Sequence, residues 1–246
     1  MHKSNSAFKE AKLKKLVILL FIAAGFFSFT QTAAADTVTL VGGSGYGPYQ
    51  SGSGGEFTFS PSSGLAGFIS LYSDKARNQV AGSVNFQTFC IEMNEYISPY
   101  GTYTAFLNNR AINGGSDPRD PAPGDPISKG TAYLYYQFAT GGLSGYNYTG
   151  DRKASAAALQ NAIWYLEDEG GANNSFVATA IARFGGLDVA RADNGGEYGV
   201  MVLNLYENGH LKQDQLILDP LPEPITMLLL GVGLIGVAMI RKKIKN

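Results

Sequence analysis

The chain has 246 residues and a formal net charge of −1, but that near-neutral value is the sum of unlike parts. Residues 3 to 15 carry five lysines against one acid, and Arg241, Lys242, Lys243 and Lys245 close the chain. The stretch from Asp36 to Glu223 holds ten basic and nineteen acidic residues, a net charge of −9. An acidic centre argues against nucleic acid as a partner, because phosphate binding needs a basic face. The 31 glycines, 16% charged residues and 45% apolar residues describe a loop-rich, strand-rich chain with enough apolar matter for a core.

At the start, Lys9, Lys12, Lys14 and Lys15 precede the apolar run Leu16 to Phe29, and Ala33-Ala34-Ala35 stands before Asp36. Basic, apolar and small segments in that order read as a secretory signal peptide over residues 1–35, cleaved after Ala35. An uncleaved anchor is the weaker reading, since the apolar run is short and an A-x-A site follows it. From Asp36 onward Val, Thr, Phe and Tyr alternate with Gly, Ser and Pro clusters, which is the pattern of strands and turns. It places strands at Thr37 to Leu40, Glu56 to Ser60, Gly67 to Leu71, Asn85 to Glu92 and Thr102 to Leu107. Residues 111 to 127 form a loop, because proline recurs too often for regular structure.

Helical periodicity follows. Ala132, Tyr135, Tyr136 and Ala139 line one face of a first helix. Asp151 caps a second that runs through Glu167, with Leu159, Ile163 and Leu166 along one side. Asn174 or Ser175 opens a third, whose face is Val177, Ala180, Ile181 and Phe184 and whose end is Gly185-Gly186. Strands return at Tyr198 to Tyr206 and Gln215 to Leu218, around a turn at Glu207 to His210. The expected fold is one α+β domain over residues 36–220. It comprises a β-sandwich or β-barrel-like subdomain with a helical insertion at about 127–190, and its last strands pair back with the first.

The C-terminus reads Leu221-Pro222-Glu223-Pro224, then Ile225 to Ile240 without a charge, then the basic tail. A helix over 225–240 would span about 24 Å, short of the roughly 30 Å hydrocarbon core, so it inserts but anchors poorly. The basic tail stays in the cytoplasm and the acidic domain outside. Pro222, Glu223 and Pro224, the apolar helix and the basic end together resemble the PEP-CTERM sorting signal of Gram-negative bacteria, over residues 221–246. The resemblance implies recognition by an exosortase, transient anchoring in the inner membrane and cleavage near Pro222 to Pro224. It also implies transfer to the cell surface or the extracellular matrix. A plain membrane anchor would leave the same domain outside but tethered.

Little conventional chemistry is available to the processed chain. His210 is its only histidine, so a Ser-His-Asp or Cys-His mechanism would rest on one residue in a turn, and a multi-His metal site is excluded. No metal or cofactor is expected. Asp117, Asp120 and Asp125 in the proline-rich loop match no EF-hand spacing and read as an exposed turn. Glu92, Glu95 and Glu167-Asp168-Glu169 offer carboxylates for glycoside chemistry but read as solvated surface. The 14 tyrosines can stack on sugars, yet they equally fill strand faces.

The single Cys90 cannot form an intramolecular disulfide. It is a buried apolar residue, an intermolecular bridge or a chemically used thiol. Strand alternation sets Phe89 and Ile91 on one face and Thr88, Cys90 and Glu92 on the other, so Cys90 need not face the main core. On the second helix Gln160 and Trp164, the only tryptophan, share a face at i and i+4 beside Ile163.

Phe89-Cys90-Ile91, followed 70 positions later by Gln160-x-Ala162-Ile163-Trp164, resembles the Cys-Gln thioester domains (TQXA type) of bacterial surface adhesins. The likeness spans about Asn85 to Glu169, and differs in having Leu159 where Thr or Gln is common before the glutamine. It implies a thioester between Cys90 and Gln160, shielded by Trp164, Ile163 and Phe89. The bond would be opened by an amine on a partner in single-turnover adhesion or biofilm-matrix attachment, not in enzyme catalysis. The alternatives are a structural matrix protein with a free Cys90 thiol and, third, an enzyme acting on extracellular polysaccharide.

Overall fold

In the computed structural model of the protein, residues 35–52, 54–112 and 124–219 are described. The signal peptide expected at 1–35, apart from Ala35, therefore lies outside the described residues, as do Asp117, Asp120, Pro222, Glu223, Pro224 and the apolar segment 225–240. Among the described residues no helix is long and apolar enough to cross a membrane.

The principal sheet is antiparallel. It is built from β1 (Asp36–Leu40), β4 (Phe57–Pro61), β5 (Phe86–Thr88), β6 (Thr102–Asn108), β9 (Val200–Glu207) and β10 (His210–Leu218), in the spatial order β10-β9-β6-β1-β4-β5. The inner strands follow the period-two rule: Val38 and Leu40 of β1 and Tyr103 and Ala105 of β6 are buried, while their threonines face outward. Two short hairpins accompany the sheet, β2 (Gln50–Ser51) with β3 (Gly54–Gly55) and β7 (Arg110–Ala111) with β8 (Asp125–Pro126). The ends of the proline-rich loop are thus paired.

The sheet curls until its two edges meet. Beyond β5 the chain continues as Phe89, Cys90 and Ile91 alongside β10, with Leu216 N–H donating to Phe89 O and Ile91 N–H to Asp214 O, both at 3.1 Å. Cys90 stands opposite Gln215 at this seam. A curled antiparallel sheet agrees with the barrel-like expectation, and the last strands do return to earlier ones: β9 pairs with β6, and β10 meets residues 89–91.

Helices α1 (Lys129–Ala139), α2 (Arg152–Leu166), α3 (Ser175–Phe184) and α4 (Leu187–Ala190) lie between β8 and β9 in the chain. Their ends follow local chemistry. Ser128 caps α1 by accepting from Thr131 N–H, Asp151 caps α2 through Ala154 N–H, and Gly185 ends α3 at φ 82°, a left-handed conformation that favours glycine. Asn174 accepts from Phe176 and Val177 N–H and donates to Ala158 O of α2, so one side chain both starts α3 and ties it to its neighbour. Asn174→Ala is expected to lower stability by about 1–2 kcal/mol in urea denaturation; an unchanged midpoint would contradict this role. Helix α1 packs on the sheet through Tyr135 and Phe138. Tyr135 Oη meets Tyr72 Oη at 2.8 Å, and the Phe138 ring meets Phe89 edge-on at 5.0 Å.

Several expectations change. Gly67 to Leu71 is a turn of 3₁₀ helix (Ala66–Leu71), because its N–H groups find carbonyls three residues back, as in Phe68 to Leu65 and Tyr72 to Ile69. The strand expected over Asn85 to Glu92 ends at Thr88, and the alternation inferred for it does not separate core from surface: Phe86 to Glu92 are all buried. Both sides of this segment are covered because it lies in the seam, so Cys90 belongs to the core. Tyr198 sits before β9 at φ 71°, and β10 is longer than foreseen because it starts directly after the Asn208-Gly209 turn.

Candidate functional site

Cys90 and Gln160 meet. The Cys90 Sγ–H donates to Gln160 Oε1 at 3.3 Å, and Gln160 Nε2 donates to Cys90 O at 2.8 Å, so one residue engages both ends of the amide. Cys90 is 0% and Gln160 1% exposed. A buried amide left without partners would be costly, and here the sheet seam supplies both. The seam fixes Cys90 through its neighbours' bonds to β10, and helix α2 fixes Gln160 in the middle of its buried face, beside Leu159, Ala162 and Ile163.

Trp164, one turn beyond Gln160, is 5% exposed, and its Nε1–H is buried with no acceptor in bonding geometry. Ile163 and Phe89 are completely buried. Burial pushes the Cys90 thiol well up. The sulfur is therefore a thiol at neutral pH, hydrogen-bonded to the Gln160 side-chain carbonyl.

The hairpin β2–β3 packs on α2 at this point. A Cβ built on Gly54 would lie 2.5 Å from Gln160 Cγ and 2.8 Å from the Trp164 ring, so only glycine permits this approach. Two residues on, Glu56 is fully buried and held by Arg152, the first residue of α2, with Nε to Oε1 at 2.7 Å and Nη2 to Oε2 at 2.8 Å. Tyr146 Oη also donates to Glu56 Oε1. The guanidinium lies 4.0 Å from the centre of the Tyr49 ring and donates to Gln79 Oε1 and Lys75 O. Burial raises the Glu56 carboxyl pKa, while Arg152 and Tyr146 oppose the rise. This clamp sits about 12 Å along α2 from Gln160 and locks the helix to the segment that carries Gly54.

A second buried group of acids lies beside Cys90. Between Lys212 and Gln215 the β9–β10 register shifts, so Gln213 and Asp214 together oppose Asn204, a β-bulge that turns the Asp214 side chain inward. Its carboxylate accepts from Ile112 N–H at 2.8 Å, Asn204 Nδ2 at 2.7 Å and Leu205 N–H at 3.3 Å. Glu92 Oε2 accepts from Asp214 N–H at 2.9 Å, while Glu92 Oε1 is buried with no partner. Burial and the adjacent Asp214 carboxylate push the Glu92 pKa far up. Sequence reasoning took Glu92 and Glu167 as solvated surface, but both are buried. Glu167 is held by Ser128, whose Oγ donates to it at 2.7 Å. Asp168 is exposed and pairs with Arg191.

His210 is exposed at the β9–β10 turn, and among the described residues no group of three His, Cys, Asp or Glu side chains is placed to hold a metal ion. Asp125 lies in β8 opposite Ala111. Sequence reading missed the Glu56–Arg152 clamp, the Glu92–Asp214 pair and the Gly54 approach; each joins residues distant in the chain, and no spacing signals them.

Comparison with known proteins decides the address of this domain. Residues 220–243 match the PEP-CTERM protein-sorting motif. The motif implies recognition by an exosortase and export through the membrane to the cell surface, as in Gram-negative bacteria. No curated protein and no solved structure matches the chain.

Proposed function

We propose that this exported domain attaches covalently to a partner through an internal thioester between Cys90 Sγ and Gln160 Cδ. The observation that carries the reading is the reciprocal, fully buried pair of hydrogen bonds between Cys90 and Gln160. In the first step the sulfur bonds to Cδ, the Cδ–Nε2 bond breaks, and the thiol proton leaves with the nitrogen as ammonia. An acyl-sulfur bond persists only where water is kept out; Cys90 and Gln160 are buried, and so are Trp164, Ile163 and Phe89, the residues proposed to shield them. A partner's primary amine then attacks Cδ, the Cδ–Sγ bond breaks, Cys90 regains a proton and the partner stays amide-linked to Gln160. Each domain reacts once, which suits adhesion at the cell surface or in a biofilm matrix and is not enzyme turnover.

Intact mass of the full chain, purified in detergent, tests the proposal. The expected result is a mass lower than the sequence by one ammonia, a methylamine adduct that replaces the lost ammonia, and neither feature in Cys90→Ala. A mass equal to that of the unmodified sequence, with no methylamine adduct, would sink the thioester and leave a matrix protein with a free Cys90 thiol. Polysaccharide hydrolysis abolished by removal of a single carboxylate would instead make it an enzyme.

A further inference from the structure

Closing a thioester from a neutral thiol and a neutral amide requires a proton to leave sulfur and another to reach nitrogen, at a pair of residues that are 0% and 1% exposed. We infer that Glu92 carries this proton between Cys90 and Gln160 and that Asp214 positions Glu92 and holds the proton on it; the inference rests on the thioester reading. Three observations point there. Glu92 follows Cys90 by two residues and is 1% exposed, and its Oε1 is a buried oxygen with no hydrogen-bond partner. Asp214 takes three N–H donors and Glu92 only one, so the ionised member of the pair is Asp214 and the proton resides on Glu92. The one histidine of the processed domain is out at the β9–β10 turn, exposed.

Three acidic groups bear on this place: Asp214 from β10 and Glu95 from the loop after Glu92 act on Glu92, and Glu169 from the turn after α2 acts on Cys90. Glu169 also accepts from Met93 N–H at 3.4 Å. Burial first, and then the negative charge of Asp214 and Glu95, keeps Glu92 protonated, the form needed to give a proton to a departing amine. The protons balance. As Sγ–Cδ forms, the thiol proton passes to the free Glu92 oxygen; as Cδ–Nε2 breaks, the original carboxyl proton passes to Nε2 and ammonia leaves. Glu92 ends as protonated as it began. Opening by an amine runs the same exchange, with the amine giving its proton to Glu92 and Glu92 giving one to Sγ.

The test is to unfold the full chain, refold it in detergent at a series of pH values and follow ammonia loss by intact mass. Wild type should close the bond with a rate that falls at alkaline pH as Glu92 loses its proton. Glu92→Gln should close it at least about a hundred-fold more slowly. Asp214→Asn removes the charge that holds the proton on Glu92, so its alkaline limb should move to lower pH, which a purely structural role would not produce. A wild-type rate that climbs steadily with pH, as free thiolate attack would, overturns the inference even if neither variant refolds. A Glu92→Gln rate equal to wild type overturns it as well. Either result leaves the thioester standing, whereas a wild type that keeps its ammonia at every pH removes the thioester itself.

Discussion

Arg152→Ala should destabilise the domain by about 3–5 kcal/mol, because it leaves the Glu56 carboxylate buried without its counter-ion. Glu56 is fully buried, and Arg152 supplies it with two of its hydrogen bonds, while Tyr146 supplies another. Glu56→Gln should cost less, since a neutral amide still accepts from Tyr146 and leaves the guanidinium its bonds to Gln79 and Lys75 O. A double replacement, Glu56→Leu with Arg152→Met, should recover most of the loss, because well-packed apolar residues often match a buried ion pair. Urea denaturation of the four proteins reads these differences directly. A loss under 1 kcal/mol for Arg152→Ala would show the clamp to be wet and weak, whatever its geometry. The exposed Arg77–Asp74 pair serves as comparison: Asp74→Ala should change stability little.

The second large effect concerns Cys90 and Gln160, the pair proposed to form the thioester. Gly54→Ala introduces a methyl group 2.5 Å from Gln160 Cγ, closer than carbon atoms approach, so the hairpin or the glutamine must move. Overpacking of this kind costs about 1–3 kcal/mol. The functional loss should exceed it, since a shift of about 1 Å at a reacting centre can lower a rate a hundred-fold. On the thioester proposal, the expected outcome is a folded domain with most of its ammonia retained and little methylamine adduct. Gly67→Ala is the control, because nothing lies within 4 Å of its Cβ position and its backbone is not left-handed. If Gly54→Ala closes its bond as completely as Gly67→Ala, the β2–β3 hairpin has no part in placing Gln160.

Both expectations depend on features that periodicity does not carry. The helices were legible because their signals are local: the N-caps Asp151 and Asn174 and the left-handed Gly185 stand where a reading of capping and period places them. Strands β1, β4 and β6 were legible from alternation to within about a residue at each end. The failures share a cause. Gly67 to Leu71 has strand-like composition but finds no strand to pair with, and closes its hydrogen bonds within itself. Residues 86–92 read as a half-buried strand, although they lie between β4 and β10 in a seam that only the curl of the sheet creates.

By itself, the sequence determined the address and the candidates. The acidic domain between two basic ends, the PEP-CTERM motif over 220–243, and one cysteine and one tryptophan-flanked glutamine are all matters of residue type and order. Only the tertiary structure decided that Cys90 and Gln160, 70 positions apart, face each other within hydrogen-bond distance, that Cys90 is core and not surface, and that Glu92 is a buried acid beside it. The physical reason is that hydrogen bonding between the sheet edges and helix packing set these contacts. Both depend on which distant segments meet, and a pattern of neighbours along the chain does not record that.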